Sequence, residues 1–103
     1  MALEIDLQGT VALVRGASRG LGRASALALA EAGADLALTG RNVEDLGHVA
    51  QEAAKHGVRA EIFTADLAEP DGIEAMVAAA LGAFGRIDVL VNNAGISGAE
   101  KRF

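Results

Sequence analysis

Apolar and polar positions follow two alternating rhythms along the chain. Short apolar runs of strand length fall at residues 10–15, 35–39, 59–64 and 87–91. Between them, apolar residues recur every three or four positions, the spacing of a helix with one face on a core. The run at 10–15 stops at a cluster of glycines and predicts a buried strand. Residues 21–32 are almost all Ala and Leu, broken by Arg23, Ser25 and Glu31. That composition predicts a helix, and Gly33 stands where a helix terminates. Asn42 followed by Asp45 predicts the N-cap of a second helix with an acid in its first turn. Leu46, Val49, Ala50 and Ala53 form its apolar stripe, and Gly57 ends it. Ile62 and Phe63 are the large residues of the third strand. Pro70 suits the first turn of a third helix, whose expected stripe is Ile73, Val77, Ala80, Leu81 and Phe84 and which Gly85 closes. The fourth strand, 87–91, is apolar except for Asp88.

The order is therefore β-α-β-α-β-α-β. Strands that are apolar throughout and separated by helices pair in parallel, with helices on both faces. Right-handed crossovers place the first two helices on one face. A third connection crossing beyond strand one gives the strand order 3-2-1-4, an incomplete, Rossmann-like, doubly wound α/β sheet with its switch point between strands one and four. The expectation is a single domain over residues 1–103.

Composition narrows the function classes. The 103 residues hold 9 Lys+Arg against 14 Asp+Glu, a net charge of -5. Such a balance argues against nucleic-acid or anionic-membrane partners, which need clustered cations. With no cysteine there is no disulfide, zinc-thiolate site or thiol nucleophile. No basic flank and apolar run mark a secretory leader, and no apolar stretch reaches membrane-spanning length, so the expected location is cytoplasmic. His48 and His56 fall on or just after the second helix without partners at ligand spacing, so no metal site is expected.

The chemistry concentrates at residues 16–22, Gly-Ala-Ser-Arg-Gly-Leu-Gly, between the first strand and the first helix. A parallel strand feeding a helix aims the free amides of the helix N-terminus at the carboxyl edge of the sheet, where an anion can sit. Glycines there permit a tight turn and close approach of a diphosphate. The spacing is G-x-x-x-G-x-G, not the generic G-x-G-x-x-G. In isolation such glycines could be loop punctuation. Their position after an apolar strand and before an Ala-rich helix favours dinucleotide binding.

Three segments in this order resemble the short-chain dehydrogenase/reductase family: Gly16 to Gly22, then Ala65-Asp66-Leu67 after strand three, and Asn92-Asn93-Ala94-Gly95 ending strand four. The likeness runs along the whole chain, which looks like the branch of 3-oxoacyl-carrier-protein reductases and gluconate 5-dehydrogenase-like enzymes. The resemblance implies an oxidoreductase that moves hydride between a nicotinamide and a carbonyl or secondary alcohol. It implies that backbone amides near Ser18, Arg19, Gly20 and Leu21 hold the diphosphate. Asp66 would accept from the adenine amino group with the Leu67 backbone close to the ring. Asn93, Ala94 and Gly95 would line the ribose and nicotinamide side, and Asn92 or Asn93 would tie strand four to its neighbour. Taken alone, Asp66 also fits an Asx-turn, and the Asn-Asn-Ala-Gly run a simple turn.

Coenzyme choice is read at the end of strand two. An NAD site needs an acid there for the adenosine ribose hydroxyls; this sequence has Gly40 followed by Arg41. Arginine matches the 2′-phosphate of NADP, and Arg19 is a second candidate clamp. NADP is therefore expected over NAD, although each arginine singly fits a solvated surface charge.

Two departures from the family stand out. Its acid/base chemistry uses a tyrosine with a lysine four residues on, and a serine; this sequence has no tyrosine, so no catalytic residue is assigned. Arg15 stands where the family usually carries a small hydroxyl residue; it either points to solvent or disturbs the turn. The expectation is an N-terminal cofactor-binding portion that stops after strand four. A non-catalytic dinucleotide-binding module and a non-functional truncated product remain the alternatives. Strand four then becomes an exposed edge, inviting self-association.

Overall fold

The computed structural model describes residues 5–64 and 70–93. Its elements run β1 (Val11–Arg15), α1 (Gly20–Glu31), β2 (Asp35–Thr39), α2 (Val43–Ala54), β3 (Ala60–Ile62), α3 (Pro70–Phe84) and β4 (Val89–Asn92). The four strands form one parallel sheet in the order β3-β2-β1-β4. This is the Rossmann-like arrangement expected from the alternation of the sequence.

Side chains leave each strand on alternate faces, and the two faces have separate cores. Ala12, Val14, Leu36 and Leu38 pack with Ala26 and Ala30 of α1 and with Leu46, Val49 and Ala53 of α2. Leu13 and Ala37, on the other face, pack with Met76 and Ala80 of α3. Leu13, Leu36, Leu38 and Leu46 are fully buried, each stabilising the fold by about 1.5–3 kcal/mol through removal from water.

The helix ends follow from local chemistry. Asn42 Oδ1 accepts from the Asp45 amide at 3.0 Å, the expected N-cap of α2. At the C-terminus of α1, Gly33 takes φ 106° and donates to Ala30 O, while the Ala34 amide donates to Leu29 O. These two bonds are a Schellman cap, and the left-handed conformation makes glycine the fitting residue.

Three expectations need correction. The α3 stripe includes Met76, which is fully buried, while Leu81 is 43% exposed; the Ile73 side chain lies outside the described set. Ala is so frequent along this helix that spacing left the angle of the stripe loosely set. The regular part of β3 is only Ala60–Ile62, although Leu36 N→Arg59 O and Phe63 N→Leu38 O extend its pairing. The fourth strand starts at Val89 because Asp88 does other work. Its amide donates to Val11 O and its Oδ2 accepts from Val11 N, both at 2.8 Å. Arg86 donates to the same carboxylate from Nε and Nη2 at 2.8 Å. Arg86, and secondly the Val11 amide, hold the Asp88 carboxyl below the usual carboxylate range.

Candidate functional site

Arg15 ends β1, and residues 16–19 turn the chain into α1. The turn requires left-handed backbone at Gly16 (φ 74°) and Gly20 (φ 63°). Gly16 N and Ala17 N both donate to Thr39 O, at 2.8 and 3.0 Å, which ties the turn to the end of β2. Gly22 is needed for a different reason. A Cβ there would lie 1.9 Å from Gly16 O, so helix and turn touch backbone to backbone. At Gly20 a Cβ would meet nothing within 4 Å; the space above the helix end is open.

The two helices that begin at this sheet edge have contrasting N-termini. The first turn of α2 holds Glu44 and Asp45 behind its Asn42 cap. In α1 the N-cap is Arg19, extended (φ −163°), with no side-chain cap bond and no acid in the first turn. The amides of residues 18–22 donate to no backbone carbonyl or side chain among the described residues. The positive end of the α1 dipole is left uncompensated, the condition under which an anion binds.

The arginines sort the same way. Arg23 pairs with Glu52, Arg59 with Glu61 and Arg86 with Asp88. Arg15, Arg19 and Arg41, all at the carboxyl edge, have no carboxylate partner among the described residues. Arg19 and Arg41 are exposed. Between them lies Gly40, buried, where a Cβ would sit 3.5 Å from Leu46 Cδ2 and 3.7 Å from Ser18 Oγ. Leu21 follows, 73% exposed on the first turn of α1.

From the other side, Asn92 is in register with Arg15, and Asn93 N donates to Arg15 O at 3.1 Å. The structure thus gathers Gly16, Ser18, Arg19, Gly20, Leu21, Gly22, Arg41 and Asn93 at one edge. Asp66, Leu67, Ala94 and Gly95 lie outside the described residues. Arg15 does not simply point to solvent. Its Nε is buried without a hydrogen-bond partner among the described residues, and so is the hydroxyl of Thr39, its register neighbour. Thr39 is the residue the sequence did not single out. Its only signal is a hydroxyl at the last position of an otherwise apolar strand. Asp35, at the opposite end of β2, accepts from the Arg59 amide and is remote from the edge. His48 and His56 are exposed, and no group of metal-ligating side chains occurs among the described residues.

A family model described as short chain dehydrogenase matches residues 10–103. The chain belongs to the short-chain dehydrogenase family. Among its family relatives, the 2-dehydro-3-deoxy-D-gluconate 5-dehydrogenase of Escherichia coli strain K12 is 43% identical over 91 residues, 88% of this chain and 35% of the relative. A metagenomic short-chain oxidoreductase solved in complex with NADP superposes with a TM-score of 0.82 at 49% identity, covering 87% of this chain and 41% of that one. An NAD+-bound xylitol dehydrogenase superposes with a TM-score of 0.83 at 37% identity, covering 88% and 35%. The chain spans about a third of the length of the curated relatives it matches. No helix among the described residues of this short-chain dehydrogenase family member is long and apolar enough to cross a membrane.

Proposed function

We propose that these residues are the coenzyme-binding part of an oxidoreductase and that they take NADP(H) in preference to NAD(H). The carrying observation is the α1 N-terminus without a side-chain cap, flanked by Arg19 and Arg41, which have no carboxylate partner among the described residues. The edge offers free amides, an open space above Gly20 and two cations, which fit a dinucleotide bearing both a diphosphate and a further phosphate. In this reading the amides of Ser18, Arg19, Gly20, Leu21 and Gly22 hold the diphosphate, Gly16 shapes the turn, and Arg19 and Arg41 hold the 2′-phosphate. Asp66, Leu67, Asn93, Ala94 and Gly95 are assigned to the adenine, ribose and nicotinamide by resemblance. Gly40 supports the choice of NADP, since it supplies no carboxylate to the ribose and none to repel a phosphate. The relatives include both an NADP complex and an NAD+ complex, so family membership alone does not select.

The bound nicotinamide would supply hydride chemistry toward a carbonyl or secondary alcohol. The residues in hand bind and orient it. With no tyrosine in the 103 residues, the family's acid/base pair is not among them. Calorimetric titration of the chain with NADPH and NADH tests the reading. NADPH is expected to bind at least tenfold more tightly; equal or stronger binding of NADH removes the roles given to Arg19 and Arg41.

A further inference from the structure

We propose that Asp88 is a positioning residue for the coenzyme site at the opposite end of its strand: it fixes the register of β4 on β1, and that register delivers Asn93 to the glycine turn. The register stands on the sheet alone, while its consequence for the coenzyme rests on the dinucleotide reading. A strand with one buried and one polar face resists slipping, because a shift of one residue exchanges the faces. β4 lacks that safeguard. Val89 and Val91 are half-buried against the α1 and α2 cluster, and Leu90 on the other face is 60% exposed. Their register partners Ala12, Leu13 and Val14 are equally apolar. A shift by one residue therefore sets apolar against apolar along this stretch. β4 also stands at the end of the sheet, with β1 as its one neighbour among the described residues.

Asp88 breaks the degeneracy. Its amide donates to Val11 O and its Oδ2 accepts from Val11 N, so one residue meets the other through two bonds. Arg86 donates to both carboxylate oxygens, from Nε and Nη2, which fixes the aim of the side chain. A slip in either direction takes the carboxylate away from the amide of Val11, a buried residue. One of the two slips also sets it beside Ala12, which is fully buried. Losing a bonded acceptor and moving a charge into an apolar stretch both cost free energy that the apolar pattern alone does not levy.

What the register delivers lies at the other end of the strand. Asn93 N donates to Arg15 O at 3.1 Å, and Arg15 immediately precedes Gly16, where the turn assigned to the diphosphate begins. A parallel strand rises about 3.3 Å per residue. A slip of one residue would break that bond and turn the Asn93 side chain to the other face. The ionic pair at the start of β4 thus determines which group stands beside the coenzyme at its end.

The test compares the 103-residue chain with Asp88→Ala and with Asp88→Asn, whose amide oxygen still accepts from Val11. Nuclear Overhauser contacts from the Asn93 amide to Arg15 and Gly16 read the register of each ligand-free chain, and titrations with NADPH and ADP read the site. ADP has adenine and diphosphate but no nicotinamide half, so in this reading it does not reach Asn93. Asp88→Ala is expected to lose the Asn93 contacts and to weaken NADPH at least about fivefold more than ADP. Asp88→Asn should keep the contacts and hold both affinities within about twofold of the parent. A merely structural role would instead weaken both ligands by one common factor. Equal losses for NADPH and ADP, or Asn93 contacts unchanged in Asp88→Ala, therefore overturn the proposal. Should Asp88→Ala fail to fold, Asp88→Val, which suits a strand and equally lacks the acceptor, decides on the same outcomes. If the parent binds neither ligand, the dinucleotide reading falls. Loss of the Asn93 contacts in Asp88→Ala then still supports the register pin, and their retention overturns it.

Discussion

Gly22 carries a steric demand that no rotamer can relieve. The 1.9 Å approach of a Cβ to Gly16 O is to backbone, so Gly22→Ala must push α1 away from its turn. The expected cost is about 1–3 kcal/mol, the range for overpacking, read as a lower urea midpoint together with weakened coenzyme binding. Gly40 is the opposite case. A Cβ there meets only ordinary contacts at 3.5 Å and beyond, so Gly40→Asp should fold. Its carboxylate would face the ribose hydroxyls and repel a 2′-phosphate. The ratio of NADPH to NADH affinity is expected to move at least tenfold toward NADH; equal losses for both would show that the side chain does not face the ribose. Glycines and arginines at this edge were legible in the sequence because their spacing follows a strand. Thr39 was not, since a β-branched residue in a strand is ordinary and its hold on the Gly16 and Ala17 amides runs through its backbone carbonyl.

At the scale of elements, the contrast between α1 and α2 was written in the sequence. Asn42 and Asp45 announce a helix that satisfies its own N-terminus, whereas α1 begins without an acid in its first turn or a side-chain cap. Less legible were elements defined by partners far along the chain. Asp88 read as an interruption in a strand, yet its carboxylate joins Arg86 to the start of β1. Because Arg86, and secondly the Val11 amide, hold the folded carboxyl below the ordinary carboxylate range, the stabilisation is fully present at pH values above that range. It is lost as pH falls through the lowered folded value. The urea midpoint should therefore drop with acidification below about pH 4, and Asp88→Asn should flatten that part of the profile. An unchanged acid profile in the variant would show that this carboxylate contributes nothing to it. Met76 was hidden for another reason: in a helix rich in Ala, several stripes fit equally well.

For the whole molecule, the sheet order places β4 at an edge, with Leu90 60% exposed on the face that α3 covers over Leu13 and Ala37. An unpaired parallel edge beside an exposed leucine favours pairing with another chain. The 103-residue chain is expected to sediment as concentration-dependent oligomers, and Leu90→Lys to shift it toward monomer; a sharp parent monomer at all concentrations counts against this. Charge is distributed just as unevenly. A polypeptide of net charge -5 presents at one rim three guanidinium groups that have no carboxylate partner among the described residues. At low ionic strength an incoming polyanion is repelled from afar and captured only within the last several ångströms, since screening acts over roughly 10 Å at 0.1 M salt. Added salt should thus hasten encounter while loosening grip, so that arrival and departure both quicken together.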